Sequence, residues 1–278
     1  MKTSQQRMNL DEYKQIVIRM LDCIHKVCVE NHIHYFVAYG TLIGAVRHDG
    51  FIPWDDDVDI WMLGEDYERF VQAFSKNDKG YYILSSETSP NYFNIFHRIC
   101  SKEGILKLKG VTNIENLGPF IDVFPIYKAP EDYDKRMEFY EEIKKANLDV
   151  HFSIPFRYYL TNSLKRQLSI ARSCLKRFKK RYFVGTKQLK KIRHEIMTKY
   201  ENTDSDCYYA VYDLTRISDK RVFSRQDIEE AELHKFEDIE VMIPKSYDRI
   251  LTRIYGDYMT LPPVEKQVSK HHFTPYWR

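Results

Sequence analysis

The chain has 278 residues, 43% of them hydrophobic and 14% aromatic, which is enough to bury a core in one large domain or in a core domain with an appendage. This composition excludes a disordered or low-complexity protein, and we find no repeat with a period of roughly 20–50 residues. The five cysteines form no C-x-x-C pair, which argues against a cysteine zinc site and favours a reducing compartment over a disulfide framework.

The charge distribution is uneven along the chain. Although the net charge is only +3, residues 157–199 contain 14 Lys and Arg side chains and a single acid, Glu195. Such a basic segment suits an anionic membrane surface or a phosphate-rich acceptor, and a solvated helical face is the alternative. Nucleic acid is not an expected partner, because no nucleic-acid-binding module is recognisable.

The N-terminal residues indicate where the protein resides. Residues 1–11 lack the apolar stretch of a signal peptide, and no run of about 18 apolar residues occurs anywhere. We therefore expect a cytoplasmic protein, with peripheral contact at the inner face of the membrane through the basic segment.

The first predicted elements form an anion-binding arrangement. From Leu10 to Asn31, apolar residues recur at spacings of three and four, which predicts an amphipathic helix with Asn9 as its N-cap. Residues 34–38 predict a short strand, Gly40-Thr41 a tight turn and residues 42–47 a short helix. The first N–H groups of a helix lack partners within it, so this turn can bind an anion such as phosphate.

A cluster of acids follows this turn. Four carboxylates occupy five positions, and their mutual repulsion requires a cation or strong hydrogen-bond donors nearby. Residues 57–62 alternate polar and apolar, which predicts a strand with Asp57 and Asp59 on one face. Asp55 and Asp56 precede the strand, where turn or cap roles compete with a chemical one.

A further carboxylate, Asp122, lies within the apolar run Phe120 to Pro125, which is typical of a central strand. Burying an unpaired carboxylate costs several kcal/mol, so Asp122 should have a partner or a metal, unless it caps the following turn. Two carboxylates on one strand and a third on its neighbour can hold two divalent cations for phosphoryl transfer. Asp57, Asp59 and Asp122 fit that template, and their oxygen ligands favour Mg²⁺ or Mn²⁺.

Other uses of such motifs are less compatible with the sequence. An EF-hand is excluded because its sixth position would be Ile60 instead of Gly and its twelfth Asp66 instead of Glu. A G-x-x-x-x-G-K-[ST] phosphate loop does not occur. A metal-dependent glycosyltransferase also uses an Asp-x-Asp motif, but after a longer nucleotide-binding half than the 54 residues that precede this cluster.

Together these motifs resemble a known family. Gly40-Thr41, the Asp57 to Ile60 strand and Asp122 are similar to the signature of the nucleotidyltransferase superfamily. More closely, GTLIGAVRH at 40–48, FIPWDDDVDI at 51–60, FIDVFP at 120–125 and YGDYMTLPP at 255–263 with His271-His272 resemble the LicD family of phosphocholine transferases. The motifs extend from position 39 to position 272.

The resemblance implies an α+β fold with a nucleotidyltransferase-like mixed β-sheet core flanked by helices, a basic helical insertion and a C-terminal cap. We expect a catalytic core at 1–130, the insertion at 131–205, and a C-terminal part at 206–278 that completes the core and the active site. The middle of the chain, residues 130–235, carries no motif that matches the family.

The implied reaction is metal-dependent transfer of phosphocholine, or a related alcohol phosphate, from CDP-choline or another CDP-alcohol donor, with release of CMP. The acceptor would be a hydroxyl of a cell-surface glycan, such as teichoic acid or lipopolysaccharide, or of its lipid-linked precursor. Two other classes stay open: a nucleotidyltransferase that attaches NMP and releases pyrophosphate, and a non-catalytic choline- or glycan-binding protein.

The implied site has three groups of residues. Asp57, Asp59 and Asp122 would be both the catalytic residues and the ligands of Mg²⁺ or Mn²⁺. A choline cage could use Trp54, Trp61 or tyrosines, all of which could equally belong to the core. His48 could instead make a structural hydrogen bond. The residues expected to bind the donor are Gly40, Thr41, Arg47, His48, Arg98 and His272.

Overall fold

The computed structural model describes residues 6–76, 80–89, 91–108, 114, 117–153, 164–210, 219–269 and 273–278. The elements of the first half are α1 (Leu10–Glu30), β1 (Phe36–Val37), α2 (Tyr39–His48), β2 (Asp59–Leu63), α3 (Gly64–Phe74), β3 (Tyr81–Leu84), β4 (His97–Ser101), β5 (Gly104–Leu108) and β6 (Phe120–Lys128). The second half contains α4 (Tyr133–His151), α5 (Leu164–Lys176), α6 (Phe178–Val184), α7 (Thr186–Met197), β7 (Cys207–Ala210), β8 (Val222–Ser224), α8 (Arg225–Ile228), β9 (Ala231–Phe236), β10 (Ile239–Pro244), α9 (Tyr247–Tyr255) and β11 (Phe273–Trp277).

A mixed sheet forms the centre of the molecule, with seven strands among the described residues. Its main path runs β1-β2-β6-β4-β3, and β7 and β8 extend it beyond the last residues of β6. Only the β2–β6 pair is parallel among these pairings. Strand β6 is long enough to pair with β4 through its first residues and with β7 through its last, so it is the central strand.

Helix α1 packs its apolar stripe against this sheet. Its buried side chains include Ile16, Met20 and Ile24, at the spacing of three and four that places them on one face. The helix begins with a capping box, in which the Asn9 side chain accepts from the Glu12 backbone and Glu12 accepts from the Asn9 backbone. The predicted helix and its N-cap are confirmed.

A second, smaller core lies at the far end of β6. It contains Tyr127 and Tyr209 from the sheet together with Phe139, Tyr140 and Ile143 from α4. The rings of Tyr140 and Tyr209 have centroids 4.3 Å apart, and α7 adds Met197 to the same cluster. Helices α4 and α7 are therefore anchored to the sheet, whereas the division of the chain at residues 130 and 205 stays a prediction.

The α+β class is confirmed, and most predicted elements occur near their predicted positions. Two local predictions need correction. Gly40-Thr41 is not a separate turn but belongs to the first turn of α2, which starts at Tyr39. The sequence of residues 236–243 predicts a single strand. In the structure β9 ends at Phe236 and β10 begins at Ile239, because Glu237 has a positive φ of 55° and reverses the chain into a hairpin.

His151, the last residue of α4, gives the fold a pH dependence. Its ring packs edge-on against Phe93 at 4.1 Å and against Phe152 at 4.7 Å. Burial, helped by the nearby Arg177 guanidinium, lowers the pKa of His151 from 6.5 to about 4. Because the folded state disfavours the protonated ring, stability is full above pH 6.5 and decreases as the pH falls toward 4.

We expect the unfolding free energy of the wild-type protein to fall by about 2 kcal/mol more than that of His151→Gln between pH 7 and pH 5. Urea denaturation at both pH values measures this difference. An identical pH dependence in the two proteins would show that the ring is not held neutral.

Candidate active site

The carboxylate centre is formed by three adjacent strands. Asp59 of β2 is in register with Asp122 of β6, and Asp122 is in register with Arg98 of β4. Residues in register on neighbouring strands are about 4.8 Å apart and point to the same face. The sheet therefore places an acid, a second acid and a base in one row, from positions that are far apart in the sequence.

Arg98 neutralises one of these acids. Its Nε donates to Asp122 Oδ1 at 2.6 Å and its Nη2 donates to Asp122 Oδ2 at 3.3 Å, while the guanidinium stacks over the Phe120 ring at 4.0 Å. Burial acts to lower the pKa of Arg98, but the Asp122 carboxylate more than offsets it and raises that pKa above its ordinary value. The prediction that Asp122 has a partner is confirmed, and the partner is Arg98.

Thr41 connects the first turn of α2 to the carboxylate strand. The backbone N–H of Asp59 donates to Thr41 Oγ1 at 2.9 Å, and the N–H of Ala38 donates to the carbonyl of Asp59 at 2.8 Å. A hydroxyl that accepts a bond keeps its own proton as a donor. The N-cap residue Ala38 contributes no side-chain bond to α2, so the first N–H groups of this helix are suited to an external acceptor.

Gly40 allows the acidic loop to approach this helix end. A Cβ at Gly40 would lie only 2.8 Å from Oδ2 of Asp55. The preceding Tyr39 has a positive φ of 48°, and its ring is held edge-on by Trp61 at 4.8 Å and by Phe124 at 5.6 Å. Such a conformation is costly for an aromatic residue, so the packing fixes how the chain enters α2.

Two predicted donor-binding residues lie at the other end of α2. Arg47 is six residues beyond Thr41, about 9 Å along the helix axis. Its Nε donates to His48 Nε2 at 3.0 Å, and its Nη1 donates to the carbonyl of Tyr258. The structure thus joins Arg47 and His48 to the C-terminal cap and does not bring them to the carboxylates; donor contact by these two stays a prediction.

Burial lowers the pKa of both Arg47 and His48, and the Arg47 charge adds to the effect at His48.

His272, the remaining donor-binding prediction, lies outside the described residues. Asp257 of the C-terminal motif accepts bonds from the backbone and hydroxyl of Thr260, as expected for a turn in a packed cap.

Tyr13 and Asp56 are near the centre. The sequence left a chemical role open for Asp56 and indicated none for Tyr13. The Tyr13 side chain of α1 is fully buried, and burial raises its pKa well above the ordinary value, with further contributions from the carboxylates of Asp56, Asp57 and Asp122. These three acids are consequently within electrostatic range of one hydroxyl. Asp56 is itself buried, and its Oδ2 accepts from Ser269 Oγ at 3.1 Å.

The carboxylates suit a hard divalent cation. No group of three or more His, Cys, Asp or Glu side chains within the described ranges is arranged to hold a metal ion. Mg²⁺, however, is usually bound by one or two carboxylates, with waters and substrate phosphates completing its shell. Metal binding by Asp57 and Asp59 stays a prediction. A carboxylate has about four acceptor positions, so the Arg98 fork does not by itself prevent Asp122 from contributing.

Trp61 does not belong to a ligand cage. Its side chain is fully buried in the main core, where it contacts Tyr39 and lies 5.1 Å from the Phe223 ring. Trp54 is partly buried and packs against the same core. Of the two open interpretations of Trp61, the structural one is correct.

A row of carboxylates on a mixed sheet, facing the first turn of a helix, is typical of enzymes that transfer phosphate-containing groups. Comparison with known proteins supports that class. Residues 32–165 match the family model described as "LicD/FKTN/FKRP, nucleotidyltransferase domain". The chain is also 28% identical over 271 residues to the lipopolysaccharide cholinephosphotransferase LicD of Haemophilus influenzae, covering 95% of this chain and 97% of that protein.

Shorter matches link the chain to two uncharacterized proteins of Rickettsia. The protein from Rickettsia typhi is 35% identical over 101 residues, which is 33% of this chain and 32% of that protein. The protein from Rickettsia prowazekii is 38% identical over 76 residues, or 27% of each chain. These matches assign residues 32–165 to the LicD family, and the similarity to the Haemophilus protein, a transferase, extends over nearly the whole chain.

Proposed function

We propose that this protein transfers phosphocholine, or a related alcohol phosphate, from a CDP-linked donor to a hydroxyl of a cell-surface glycan or its lipid-linked precursor, with release of CMP. The observation that carries this proposal is the similarity to the Haemophilus influenzae lipopolysaccharide cholinephosphotransferase along nearly the whole of both chains. The Asp59–Asp122 row beside α2 is consistent with it, because the donor's diphosphate needs both neutralisation and positioning.

The residues of the chain have separate tasks in the proposed reaction. Thr41 Oγ1 and the first N–H groups of α2 hold the diphosphate oxygens. Arg98 keeps Asp122 ionised and oriented beside Asp59, so that the acceptor hydroxyl can approach in line with the phosphorus nearest choline and lose its proton to Asp122. The acceptor oxygen forms a bond to that phosphorus, the bond from the phosphorus to the CMP oxygen breaks, and CMP leaves.

A divalent cation completes this proposed site. Asp57 and Asp59 would hold Mg²⁺ or Mn²⁺, and Asp122 would contribute through acceptor positions that Arg98 does not use. When bound, the cation supplies Lewis-acid neutralisation of the diphosphate charge.

The test is to incubate the protein with CDP-choline, Mg²⁺ and a lipopolysaccharide or teichoic acid acceptor. We expect CMP release that depends on acceptor and is abolished by EDTA, with an acceptor heavier by one phosphocholine. Pyrophosphate release with an acceptor heavier by one nucleotide would instead indicate a nucleotidyltransferase. Donor binding without turnover over a panel of donors and acceptors would indicate a binding protein.

We also propose that α5 and α6 bind an anionic membrane surface, where a lipid-linked acceptor would be found. The described part of the chain contains no helix that is both long and apolar enough to cross a bilayer. Large apolar side chains nevertheless project from α5 and α6, with Phe183 80% and Leu175 75% exposed. Exposed basic residues, among them Arg172 and Lys176, accompany them, as in helices that lie in the interface of anionic lipid.

Co-sedimentation with vesicles tests the membrane proposal. Wild-type protein should sediment with phosphatidylglycerol vesicles and remain in the supernatant with phosphatidylcholine alone. The double variant Leu175→Ser/Phe183→Ser should lose most of that binding, whereas Val264→Ser, which alters another strongly exposed apolar residue, should retain it. Equal binding to vesicles by all three proteins would exclude α5 and α6 as the membrane-binding surface. Binding of soluble acceptor polymer that depends on Leu175 and Phe183 would instead indicate an acceptor-binding surface.

A further inference from the structure

A cavity of about 470 Å³ opens directly beside the carboxylate centre. Its lining includes Tyr13 of α1, Asp56 of the acidic loop and Phe273 of β11. Asp56 is the immediate neighbour of Asp57, and the Tyr13 hydroxyl is within electrostatic range of Asp57 and Asp122. A group attached to a phosphate at the carboxylates could therefore reach this cavity.

The cavity walls combine apolar and aromatic side chains with the buried carboxylate of Asp56 and the polar side chains of Arg7 and Asn9. The rings of Tyr13 and Phe273 have centroids 5.2 Å apart at an angle of 42°, and Met8 and Pro275 complete the apolar lining. The Asp56 carboxylate is buried and fixed by the Ser269 hydroxyl. A quaternary ammonium has charge but no N–H to donate, so aromatic faces and a carboxylate suit it better than hydrogen-bond acceptors would.

The Tyr13 hydroxyl provides an independent indication of a ligand. It is fully buried at the cavity, and within the described residues its oxygen makes no hydrogen bond of ordinary geometry; the neighbouring Phe120 backbone lowers its pKa without offsetting burial. A buried hydroxyl without such a bond is costly, which a ligand in the cavity would relieve. Because burial raises the pKa of this phenol, the hydroxyl is neutral and presents its oxygen lone pairs.

Two basic side chains lie near the cavity. Lys14 lies over the Phe51 ring, with its Nζ 4.6 Å from the ring centroid, and does not line the cavity, although its charge interacts with Asp56. Arg7 lines the cavity but is an exposed residue. A trimethylammonium group needs no hydrogen-bonding partner, so it can pack against the walls of Met8, Phe273 and Pro275.

We propose that the cavity bordered by Tyr13, Asp56 and Phe273 binds the trimethylammonium group of the donor and thereby selects choline phosphate over other alcohol phosphates. This inference rests on the proposed function, because it takes the donor to be a CDP-alcohol. The trimethylammonium group would thus contact residues that are separate from the phosphate contacts at Thr41 and from the proposed metal ligands.

Equilibrium binding without an acceptor tests the cavity. Titration calorimetry with Mg²⁺ present compares CDP-choline, CDP-ethanolamine and CMP. Wild-type protein should bind CDP-choline about tenfold more tightly than CDP-ethanolamine. In Asp56→Asn and in Phe273→Leu the ratio should fall to within about twofold of one, while CMP affinity stays within about twofold of wild type.

Asp55→Asn is the matched control, since Asp55 is the adjacent acid but contacts the α2 end and does not line the cavity. It should keep the tenfold preference. If Phe273→Leu does not fold, Asp56→Asn alone decides, because it preserves shape. An unchanged choline preference in folded Asp56→Asn and Phe273→Leu would overturn the inference.

The outcome for the cavity can be separated from that for the proposed reaction. The wild-type protein could prefer CDP-choline, lose that preference in Asp56→Asn, and yet release no CMP with any acceptor. This result would support choline binding in the cavity and overturn the proposed function. Conversely, active enzyme in which Asp56→Asn and Phe273→Leu lower kcat/KM equally for CDP-choline and CDP-ethanolamine would support the function and overturn the cavity.

Discussion

The Asp59→Asn variant is expected to lose at least about 10³-fold in kcat/KM, equivalent to about 4 kcal/mol of transition-state stabilisation, while remaining folded. Asp59 is held by its own backbone bonds to Thr41 and Ala38, which the amide side chain leaves intact. The loss arises because an amide cannot neutralise charge or bind Mg²⁺ as a carboxylate does. Asp57→Asn should behave in the same way, and acceptor-dependent CMP release is the measurement.

Two controls make this result specific. Asp238→Asn makes the same chemical change at an exposed residue of the β9–β10 turn and should retain full activity. Circular dichroism and donor titration establish that the inactive proteins are folded and bind the nucleotide. Substantial turnover by a folded, donor-binding Asp59→Asn protein would rule out the assigned role.

The Arg98→Met variant should lower the unfolding free energy by about 3–5 kcal/mol, the cost of leaving a buried charge without its counter-ion. The side chains of Arg98 and Asp122 are only 16% and 13% exposed, so water replaces the lost partner poorly. Urea denaturation at pH 7 gives the value. In an Asp122→Asn background the same change should cost much less, since no carboxylate remains to be neutralised.

Arg19→Met is the matched control for this prediction. Arg19 also pairs with an acid, Glu103, at 2.8 Å, but the two side chains are 50% and 41% exposed. Pairs of this kind contribute about 0–1 kcal/mol, so the control should differ little from wild type. A loss in Arg98→Met no larger than in Arg19→Met would mean that Asp122 does not depend on its arginine.

Local patterns were sufficient to predict most of the fold. The stripe of Ile16, Met20 and Ile24 predicts α1 because a helix buries one face, and the apolar run around Asp122 predicts a buried strand. The predictions near Gly40 and Glu237 were wrong for a different reason. Their chain direction depends on backbone conformations at Tyr39 and Glu237 that neither residue type favours, so composition gave no signal.

The carboxylate pair of the site could be predicted only in part. The spacing predicted Asp57 and Asp59 on one strand, but β2 begins only at Asp59, so Asp57 lies on the loop before it. The register that brings Asp122 beside Asp59 is a long-range property of β2 and β6. Arg98 was expected to bind the donor, and its hydrogen bonds to both carboxylate oxygens of Asp122 were not predicted. Which of several basic residues faces a given acid depends on strand order, which no local pattern encodes.

The cavity itself was missed, because the contacts of its residues cross almost the whole chain, although Asp56 had been named as a residue with an open role. Ser269 binds Asp56 across 213 positions, and Phe273 meets Tyr13 from the other end of the sequence. One signal was available: Tyr13 places a hydroxyl within the apolar stripe of α1, where its neighbours on the buried face are Ile16 and Val17. A hydroxyl on the buried face of a helix needs a hydrogen-bonding partner or a ligand, and the cavity beside Tyr13 offers room for a ligand.

The cavity is closed by the two ends of the chain, which pair with each other through bonds from Met8 N–H to the Pro275 carbonyl and from Trp277 N–H to the Gln6 carbonyl. During synthesis on the ribosome, the three carboxylates have emerged once Asp122 has, whereas this wall forms only after residues 273–277 have followed. In the proposed scheme, headgroup recognition is therefore acquired after the acids are in place, and loss of the chain from Phe273 onward would keep the acids but remove the discrimination between donors.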